Sequence, residues 1–415
     1  MSRGPILECV PRKRRTWLVV AVIVLVCVVP ISPGRPFANG AIPAPETCCG
    51  VVTNIAMANP GDMAYDSGRG EVFVANGNNV SVINDTTNTV VATIPVGLDS
   101  GAVAYDSGKG EVFVTYHTNY ESGPGNVSVI NDTTNTVVTT LPVGINPDGL
   151  VYDSGKGEVF VVNAGPPIAI PIGSRINVSL AGVSVISDSN NTVVATILGY
   201  YGPSGATYDS GKGEVFFAGC FCGGPVGSGG YVTVISDANY SAMKGIFVVG
   251  VGYGVAAYDE GRGEVLVTHW YSDNLSVISD TKDTVVANIT VGTSSHGLAY
   301  DSGKGEIFVA NYELNSVSVI NDSTDTIVTT VPAGLNPHAL VYDSGKGEVF
   351  VSNGESVSVI SDIASGSPGF LGLPGSQGYY VLGIGAAAGV VVVAVWSRAL
   401  LPPPKPRVSP PPPGT

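Results

Sequence analysis

A stretch built on the letters YDSGKGEVF recurs seven times along the chain, and this repetition constrains the fold more than any other feature. The seven copies begin at Tyr65, Tyr105, Tyr152, Tyr208, Tyr258, Tyr300 and Tyr342. Successive tyrosines are 40, 47, 56, 50, 42 and 42 residues apart. Internal periods of this length are typical of β-propellers and solenoids, in which each repeat is one supersecondary unit.

Each unit contains four strand-like runs. In the first unit they are residues 62–66, 71–76, 79–84 and 89–96, which alternate or are wholly apolar and are separated by turn-forming residues. Four short antiparallel strands form one propeller blade. The seven units therefore predict an all-β fold, a seven-bladed β-propeller of four-stranded blades over residues 48–363.

The two ends of the repeat array complement each other. The seventh unit has three runs, 338–343, 348–353 and 356–360, and no fourth. Residues 51–57 (VVTNIAM) resemble the fourth run of the other units, such as TVVATIPVG. We therefore expect an N-terminal strand to complete the last blade, which closes the ring and leaves no open strand edge at the junction.

Units such as GLAYDSGKGEIFVANYELNSVSVINDSTDTIVTTVPAG resemble the YVTN repeat, found in β-propellers of archaeal surface-layer proteins and related bacterial proteins. The resemblance covers residues 50–362, and the VAN ending stands at 74–76 and 309–311. The first turn departs from it, since DSGKG replaces the proline-containing SPDG of many members. The resemblance implies a secreted or cell-surface propeller and no single activity.

Residues 1–40 have the three parts of a secretory signal peptide. A basic run at 12–15 precedes an apolar run at 17–29, which is short for a membrane span. Residues 38–40 (ANG) offer a small-x-small cleavage site. The alternative is an uncleaved N-terminal anchor.

Residues 379–396 carry no charge and are long enough to cross a bilayer, with aromatic residues at both edges. They predict one transmembrane helix, joined to the propeller by a Gly/Ser/Pro linker at 364–378. Basic residues follow in the proline-rich tail at 397–415, and the positive-inside rule places that tail in the cytoplasm. The propeller is then extracellular, at the cell membrane. Gly385 and Gly389 form a GxxxG motif, which favours a homodimer through this helix.

The repeated stretch is expected to be scaffold rather than chemistry. A P-loop needs GxxxxGK[ST] between a strand and a helix, and no helix follows here. A calcium loop needs oxygen ligands where Lys109 stands. Asp, Ser and Gly favour a tight hairpin turn instead. We expect Lys109, Lys156 and Lys346 to be solvated and their replacement by alanine to cost little.

The opposite face of the ring is predicted to be the working face, because there the units differ. The loop between second and third strands comprises only residues 77–78 in unit one. It is longer in units two, three and four, at residues 117–125, 164–182 and 220–229. Long insertions on one face of a repeat array mark the binding face. The candidate binding residues on it are Tyr116, His117, Tyr120, Tyr200, Tyr201, Tyr253, Trp270 and Tyr271.

By their positions within the repeat, all four histidines are expected on this same face. His296 and His338 lie four residues before their tyrosines, at the mouth of the central channel, as does Asp148 in unit three. His117 and His269 follow the ends of second strands. These histidines are either polar loop residues near solvent or, for His296, His338 and Asp148, a metal or acid–base site. GxSxG and HExxH motifs are absent, and the sequence names no cofactor.

A net charge of −14 is unsuited to nucleic-acid phosphates. The sequence therefore favours a membrane-anchored, non-enzymatic surface protein that binds a surface protein, a glycan or an envelope polymer. The alternatives are a lactonase- or lyase-like enzyme with its site at the channel mouth and a purely structural envelope component.

The cysteines and the N-glycosylation sequons are relevant to the predicted extracellular location of the propeller. Cysteines expected outside the membrane, as disulfides or free thiols, are Cys48, Cys49, Cys220 and Cys222. Sequons in the propeller are at Asn79, Asn84, Asn126, Asn131, Asn177, Asn190, Asn239, Asn274, Asn288 and Asn321. Several recur in register with the repeat, so turn chemistry explains them as well as glycosylation does.

Overall fold

The computed structural model describes residues 49–118, 124–165, 181–198, 203–220, 230–249, 254–270 and 272–362. The predicted signal segment, linker, transmembrane span and tail lie outside these residues. In the part of the chain that is described, no helix has the length and apolarity needed to cross a membrane.

The described residues form seven four-stranded sheets, each with its strands in chain order except the last. The first blade comprises β2 (Pro60–Asp66), β3 (Glu71–Asn76), β4 (Asn79–Asn84) and β5 (Thr89–Pro95). The second comprises β6 (Leu98–Asp106), β7 (Glu111–His117), β8 (Pro124–Asn131) and β9 (Thr136–Ile145). The third comprises β10 (Pro147–Asp153), β11 (Glu158–Asn163), β12 (Gly182–Ser187) and β13 (Thr192–Leu198).

The remaining blades repeat this order. The fourth comprises β14 (Pro203–Asp209), β15 (Glu214–Cys220), β16 (Gly230–Ser236) and β17 (Ala242–Val248). The fifth comprises β18 (Ala256–Asp259), β19 (Glu264–Thr268), β20 (Asn274–Ser279) and β21 (Thr284–Thr290). The sixth comprises β22 (Ser295–Asp301), β23 (Glu306–Asn311), β24 (Ser316–Asn321) and β25 (Thr326–Pro332). The seventh comprises β26 (Ala339–Asp343), β27 (Glu348–Ser352), β28 (Ser356–Ser361) and β1 (Gly50–Ala56).

The first strands of the blades contact one another in a closed circuit, from β2 through β6, β10, β14, β18, β22 and β26 back to β2. This circuit confirms the seven-bladed propeller and places the first strands around the central channel. β1 pairs antiparallel with β28, with Ile55 opposite Val357, so the N-terminal strand completes the last blade as predicted.

The core lies between adjacent blades. The second strand of each blade is buried along nearly its whole length, as in β3. Phe73 of β3 packs with Val103, Val112 and Val114 of the second blade. Phe350 of the seventh blade packs in the same way with Val72 and Val74 of the first. The large apolar side chain at this position, phenylalanine in six blades and Leu266 in the fifth, thus lies at the boundary between blades, including the one that joins the chain ends.

The YDSGKGEV stretch forms the turn between first and second strands, as predicted. Asp66 Oδ1 accepts the N–H groups of Gly68 at 2.8 Å and Arg69 at 3.1 Å. Gly70 has φ of +66°, and a Cβ there would lie 2.7 Å from Asp85 Oδ2, so glycine is required twice over. Six further glycines repeat this conformation, Gly110, Gly157, Gly213, Gly263, Gly305 and Gly347.

The turn between third and fourth strands lies beside the first turn. The N–H of Asp85 donates to the carbonyl oxygen of Gly70 at 2.9 Å, and the same bond recurs in all seven blades. Both uniform turns therefore lie on one face of the ring. In the sequons at Asn84, Asn131 and Asn321, the side-chain oxygen accepts from the backbone three residues on, which is turn chemistry.

The lysines of the first turn reach the neighbouring blade. The ammonium group of Lys109 donates to the carbonyl oxygen of Asp188, and that of Lys346 to the carbonyl oxygen of Asp85. Their side chains are about one-third exposed, 34% and 32%. The expectation of fully solvated lysines thus needs revision, because each of these cations also bridges two blades.

Candidate functional site

The innermost strands start on the face opposite the uniform turns, and the loops that differ between units lie there. Part of this variable face falls outside the described residues, including Tyr120, Tyr200, Tyr201, Tyr253 and Tyr271. Cys48, Cys222 and Asn177 also lie outside them. The structure therefore places Tyr116, His117 and Trp270 of the predicted binding set.

Three aromatic rings form a continuous stack on this face, which we call the channel-mouth stack: Trp270, His296 and Tyr312. The ring centroids of Trp270 and His296 are 4.3 Å apart, with planes 5° from parallel. Those of His296 and Tyr312 are 4.5 Å apart, at 14°. Trp270 follows β19 of the fifth blade and Tyr312 follows β23 of the sixth, so the stack bridges two blades.

All three rings of the channel-mouth stack are half-buried. The ring nitrogens of His296 form no hydrogen bond with any described residue, whereas its carbonyl oxygen accepts from the Thr268 hydroxyl at 2.7 Å. Burial between the two rings, with repulsion from His338, lowers the pKa of His296 to about 4. His296 is therefore neutral near pH 7 and acts here as an aromatic surface.

His338 is held by two backbone carbonyl groups. Its Nδ1 lies 3.0 Å from the Asn336 oxygen, and its Nε2 lies 2.7 Å from the Pro60 oxygen of the first blade. A neutral imidazole has one N–H, so the tautomer decides which of these two oxygens accepts a hydrogen bond. With both nitrogens engaged, His338 joins the seventh blade to the first.

Two carboxylates complete the channel mouth. Asp62 Oδ2 accepts the N–H of Val103 at 3.0 Å, across the boundary between first and second blades. Burial raises the pKa of Asp62, while backbone hydrogen bonds and His338 oppose the shift. The Asp148 side chain is exposed at the channel mouth. Desolvation by the protein around the channel, together with repulsion from Asp62, nevertheless raises its pKa to about 6. The charges of Asp62 and Asp148, of Asp62 and His338, and of His296 and His338 influence one another, as expected of neighbouring groups around the channel mouth.

Among the described residues, no three or more His, Cys, Asp or Glu side chains come together in a way that could hold a metal ion. His296, His338 and Asp148 are among these residues, and each has a different environment.

His269 is a structural residue. It is fully buried, and its Nε2 lies 2.8 Å from the Ser276 hydroxyl on the next strand. Asn311 and Asn353 occupy the same register position in their blades and donate to Ser318 and Ser358, each at 2.9 Å. His269 thus replaces a repeated scaffold asparagine and is not a polar loop residue near solvent.

The remaining described candidates are peripheral to the stack. His117 Nδ1 lies 3.8 Å from Asp99 Oδ2 near the surface. Tyr116 is half-buried over Gly97, where a Cβ would lie 2.1 Å from its ring. Cys49 is half-buried and packs against the core of the sixth and seventh blades. Cys220 ends β15.

Sequence reasoning missed Tyr312 and Asp62. Tyr312 directly follows the VAN ending of unit six, where it reads as an ordinary loop residue. Asp62 stands three residues before its tyrosine, at a position occupied elsewhere by Ala102, Gly149, Gly205, Val255, Gly297 and Ala339. A carboxylate among small or apolar residues at one register position was the available signal.

The comparisons with known proteins support the fold alone. No family model matches the sequence. No curated protein matches it either. Among solved structures, a chain of hydrazine synthase from Kuenenia stuttgartiensis is similar, with a TM-score of 0.62 and 14% identity. The match covers 74% of this chain and 97% of that one. At this identity the likeness extends to the β-propeller and not to an activity.

Proposed function

We propose that this protein is a membrane-anchored, outward-facing β-propeller of the YVTN-like kind that binds a surface protein, a glycan or an envelope polymer. The observation that carries the proposal is the channel-mouth stack of Trp270, His296 and Tyr312 on the variable face. Half-buried, rigid aromatic rings supply contact area at low entropic cost and dominate the energetics of many interfaces.

The chemistry of the channel mouth favours binding over catalysis. A general acid or base needs free, convergent nitrogens or oxygens close to a reacting group. His296 lies between two rings with its pKa lowered to about 4, and His338 has both nitrogens against carbonyl oxygens. His296 is thereby poorly suited to proton transfer near neutral pH, and both ring nitrogens of His338 already face protein oxygens.

The location rests on the sequence. The apolar run at 379–396 and the basic residues after it support one span with the tail in the cytoplasm. The signal-like residues 1–40 support export of the propeller. Asn190, Asn239 and Asn288 are exposed sequon positions and are accessible to glycosylation in such a location.

The test compares cell-envelope binding by the full-length protein and a double variant, Trp270→Ala with Tyr312→Ala. We expect binding to weaken by about 30-fold or more, the effect of losing a contact hot spot. Phe247→Ala is the matched control, because Phe247 is an exposed aromatic residue, 52% accessible, on the outer strand of the fourth blade. Circular dichroism checks that each variant is folded.

Two results would contradict the proposal. One is undiminished binding by a folded Trp270→Ala, Tyr312→Ala protein. The other is a turnover of lactone or polysaccharide substrates that is lost in His296→Ala with His338→Ala, which would favour an enzyme at the channel mouth.

A further inference from the structure

A tyrosine hydroxyl lies between two carboxyl groups at each boundary between blades. Tyr152 of the third blade donates to Asp188 Oδ2 of its own blade at 3.4 Å and faces Asp106 of the second blade. Tyr208 is placed in the same way between Asp237, at 3.3 Å, and Asp153. The arrangement repeats around the ring on the face of the uniform turns.

The inner aspartate of each boundary has one oxygen without a donor. Asp106 is fully buried, and its Oδ1 accepts the N–H groups of Gly108 at 2.8 Å and Lys109 at 3.1 Å. Its Oδ2 is buried and has no hydrogen-bond partner among the described residues. The corresponding oxygens of Asp153 and Asp301 share this condition. A buried carboxylate oxygen without a donor is costly.

Each boundary has fewer protons than its carboxylate oxygens need for hydrogen bonds. The tyrosine hydroxyl supplies one proton and donates it to one carboxylate only. The tyrosine hydroxyl lies between the two carboxyl groups of its boundary, with Asp188 opposite Asp106, Asp237 opposite Asp153 and Asp362 opposite Asp301. Two carboxylates cannot hydrogen-bond to each other unless one of them carries a proton.

One sequence position distinguishes the boundaries of Asp188 and Asp237 from those of Asp85, Asp132 and Asp280. Thr86, Thr133 and Thr281 each follow the outer aspartate of their blade, and their hydroxyls donate to Oδ1 of Asp85, Asp132 and Asp280 at 3.0, 3.0 and 2.9 Å. Ser189 and Ala238 stand at this position after Asp188 and Asp237. The Ser189 hydroxyl pairs with Ser187 instead, and Ala238 has no hydroxyl. Asp188 and Asp237 therefore lack the hydroxyl donor that Asp85, Asp132 and Asp280 have. A proton bound at the boundary would supply the missing hydrogen bond.

We propose that the boundaries Asp106–Asp188, Asp153–Asp237 and Asp301–Asp362 each bind a proton shared between two carboxyl groups, so that acid stabilises the propeller. Burial, together with the interaction with the inner aspartate, raises the pKa of Asp188, Asp237 and Asp362. The cations that face them, Lys109, Lys156 and Lys304, oppose this shift. The pKa of Asp280 is lowered instead, because burial is outweighed by hydrogen bonds from Thr281 and Tyr258 and by the charge of Lys212.

The direction of the pH effect follows from linkage. A carboxyl group whose pKa is higher in the folded than in the unfolded chain binds more protons when folded, between those two pKa values. Its stabilisation is complete below the unfolded pKa, about 4 for aspartate, and is lost as the pH rises through the folded pKa. The free energy of unfolding should therefore increase as the pH falls from neutrality toward about 5.

The test is equilibrium unfolding of the full-length protein in denaturant between about pH 4.5 and about pH 8. The slope of the logarithm of the unfolding constant against pH gives the protons taken up on folding. Other acids contribute to the wild-type slope, so the comparison of variants is decisive. Ala238→Thr supplies Asp237 with the missing donor and should reduce the uptake by up to about one proton.

Two further variants complete the design. Thr133→Ala removes the donor to Asp132 and should increase the uptake, again by up to about one proton. Thr134→Ala is its matched control, because the Thr134 hydroxyl donates to Asn131 and not to an aspartate, and the slope should stay unchanged. Asp153→Asn keeps the shape of the boundary and places an amide donor beside Asp237, so it should also reduce the uptake.

A second readout does not depend on unfolding. Infrared spectroscopy of the folded protein should show a protonated carboxyl band that persists to a higher pH in the wild type than in Asp153→Asn. A wild-type protein that gains stability as pH rises would overturn the proposal. So would a slope unaffected by both Ala238→Thr and Asp153→Asn, or an infrared band equal in wild type and Asp153→Asn.

Discussion

Replacing Ile55 by alanine tests whether the N-terminal strand is an integral part of the propeller. Ile55 is the one buried residue of β1, with 7% of its surface exposed, and it packs with Val72, Phe350 and Val357. In the first blade, Ile94 of β5 occupies the same position at 4% exposure, and the two strands have the same alternation of buried and exposed residues.

The magnitude follows from this equivalence. Truncating a buried isoleucine to alanine removes three carbons and leaves a cavity, which costs about 2–5 kcal/mol. The value for Ile55 should lie in the lower half of this range, because the outer strand borders solvent and can relax. Ile94→Ala should cost the same within about 1 kcal/mol, since its strand has the same role. Val52→Ala, at a position 55% exposed on β1, should cost under about 0.5 kcal/mol.

The assay is denaturant unfolding of the three variants and the wild type, followed by circular dichroism. Comparable losses for Ile55→Ala and Ile94→Ala show that the seventh blade depends on β1 as the first depends on β5. If Ile55→Ala resembles Val52→Ala while Ile94→Ala loses its full amount, β1 is peripheral and the reasoning from shared-blade closure fails.

Three further predictions concern the scaffold and the topology. His269→Asn should keep a donor to Ser276 and cost under about 1 kcal/mol, whereas His269→Ala should cost about 2–3 kcal/mol; equal losses in thermal unfolding would refute the scaffold role. Lys346→Ala should cost about 0.5–1 kcal/mol, because the amine bridges to the Asp85 carbonyl, and a loss above about 2 kcal/mol would show a larger role. An epitope tag placed after Thr415 should resist protease added to intact cells, and its cleavage from outside would disprove the proposed orientation.

The propeller architecture could be predicted from the sequence. Seven copies of one stretch, four strand-like runs per copy and a displaced fourth run at 51–57 were enough to predict the blade number and the closure of the ring. This worked because each blade buries its second strand against its neighbours, so every copy must keep the same apolar and turn residues. The turn at Asp66 and Gly70 was readable for the same reason, since its backbone conformation requires glycine wherever it occurs.

The roles of the individual polar and aromatic residues depend on contacts between blades and could not be predicted in this way. Register placed His296 at the channel mouth, but its stacking between Trp270 and Tyr312 joins residues from two blades, which no local pattern encodes. His269 and His296 are both histidines near strand ends, yet one bonds a serine in the core and the other is an aromatic surface. Strand periodicity specifies which residues point inward, whereas pKa and hydrogen bonding depend on which side chains of neighbouring blades meet them.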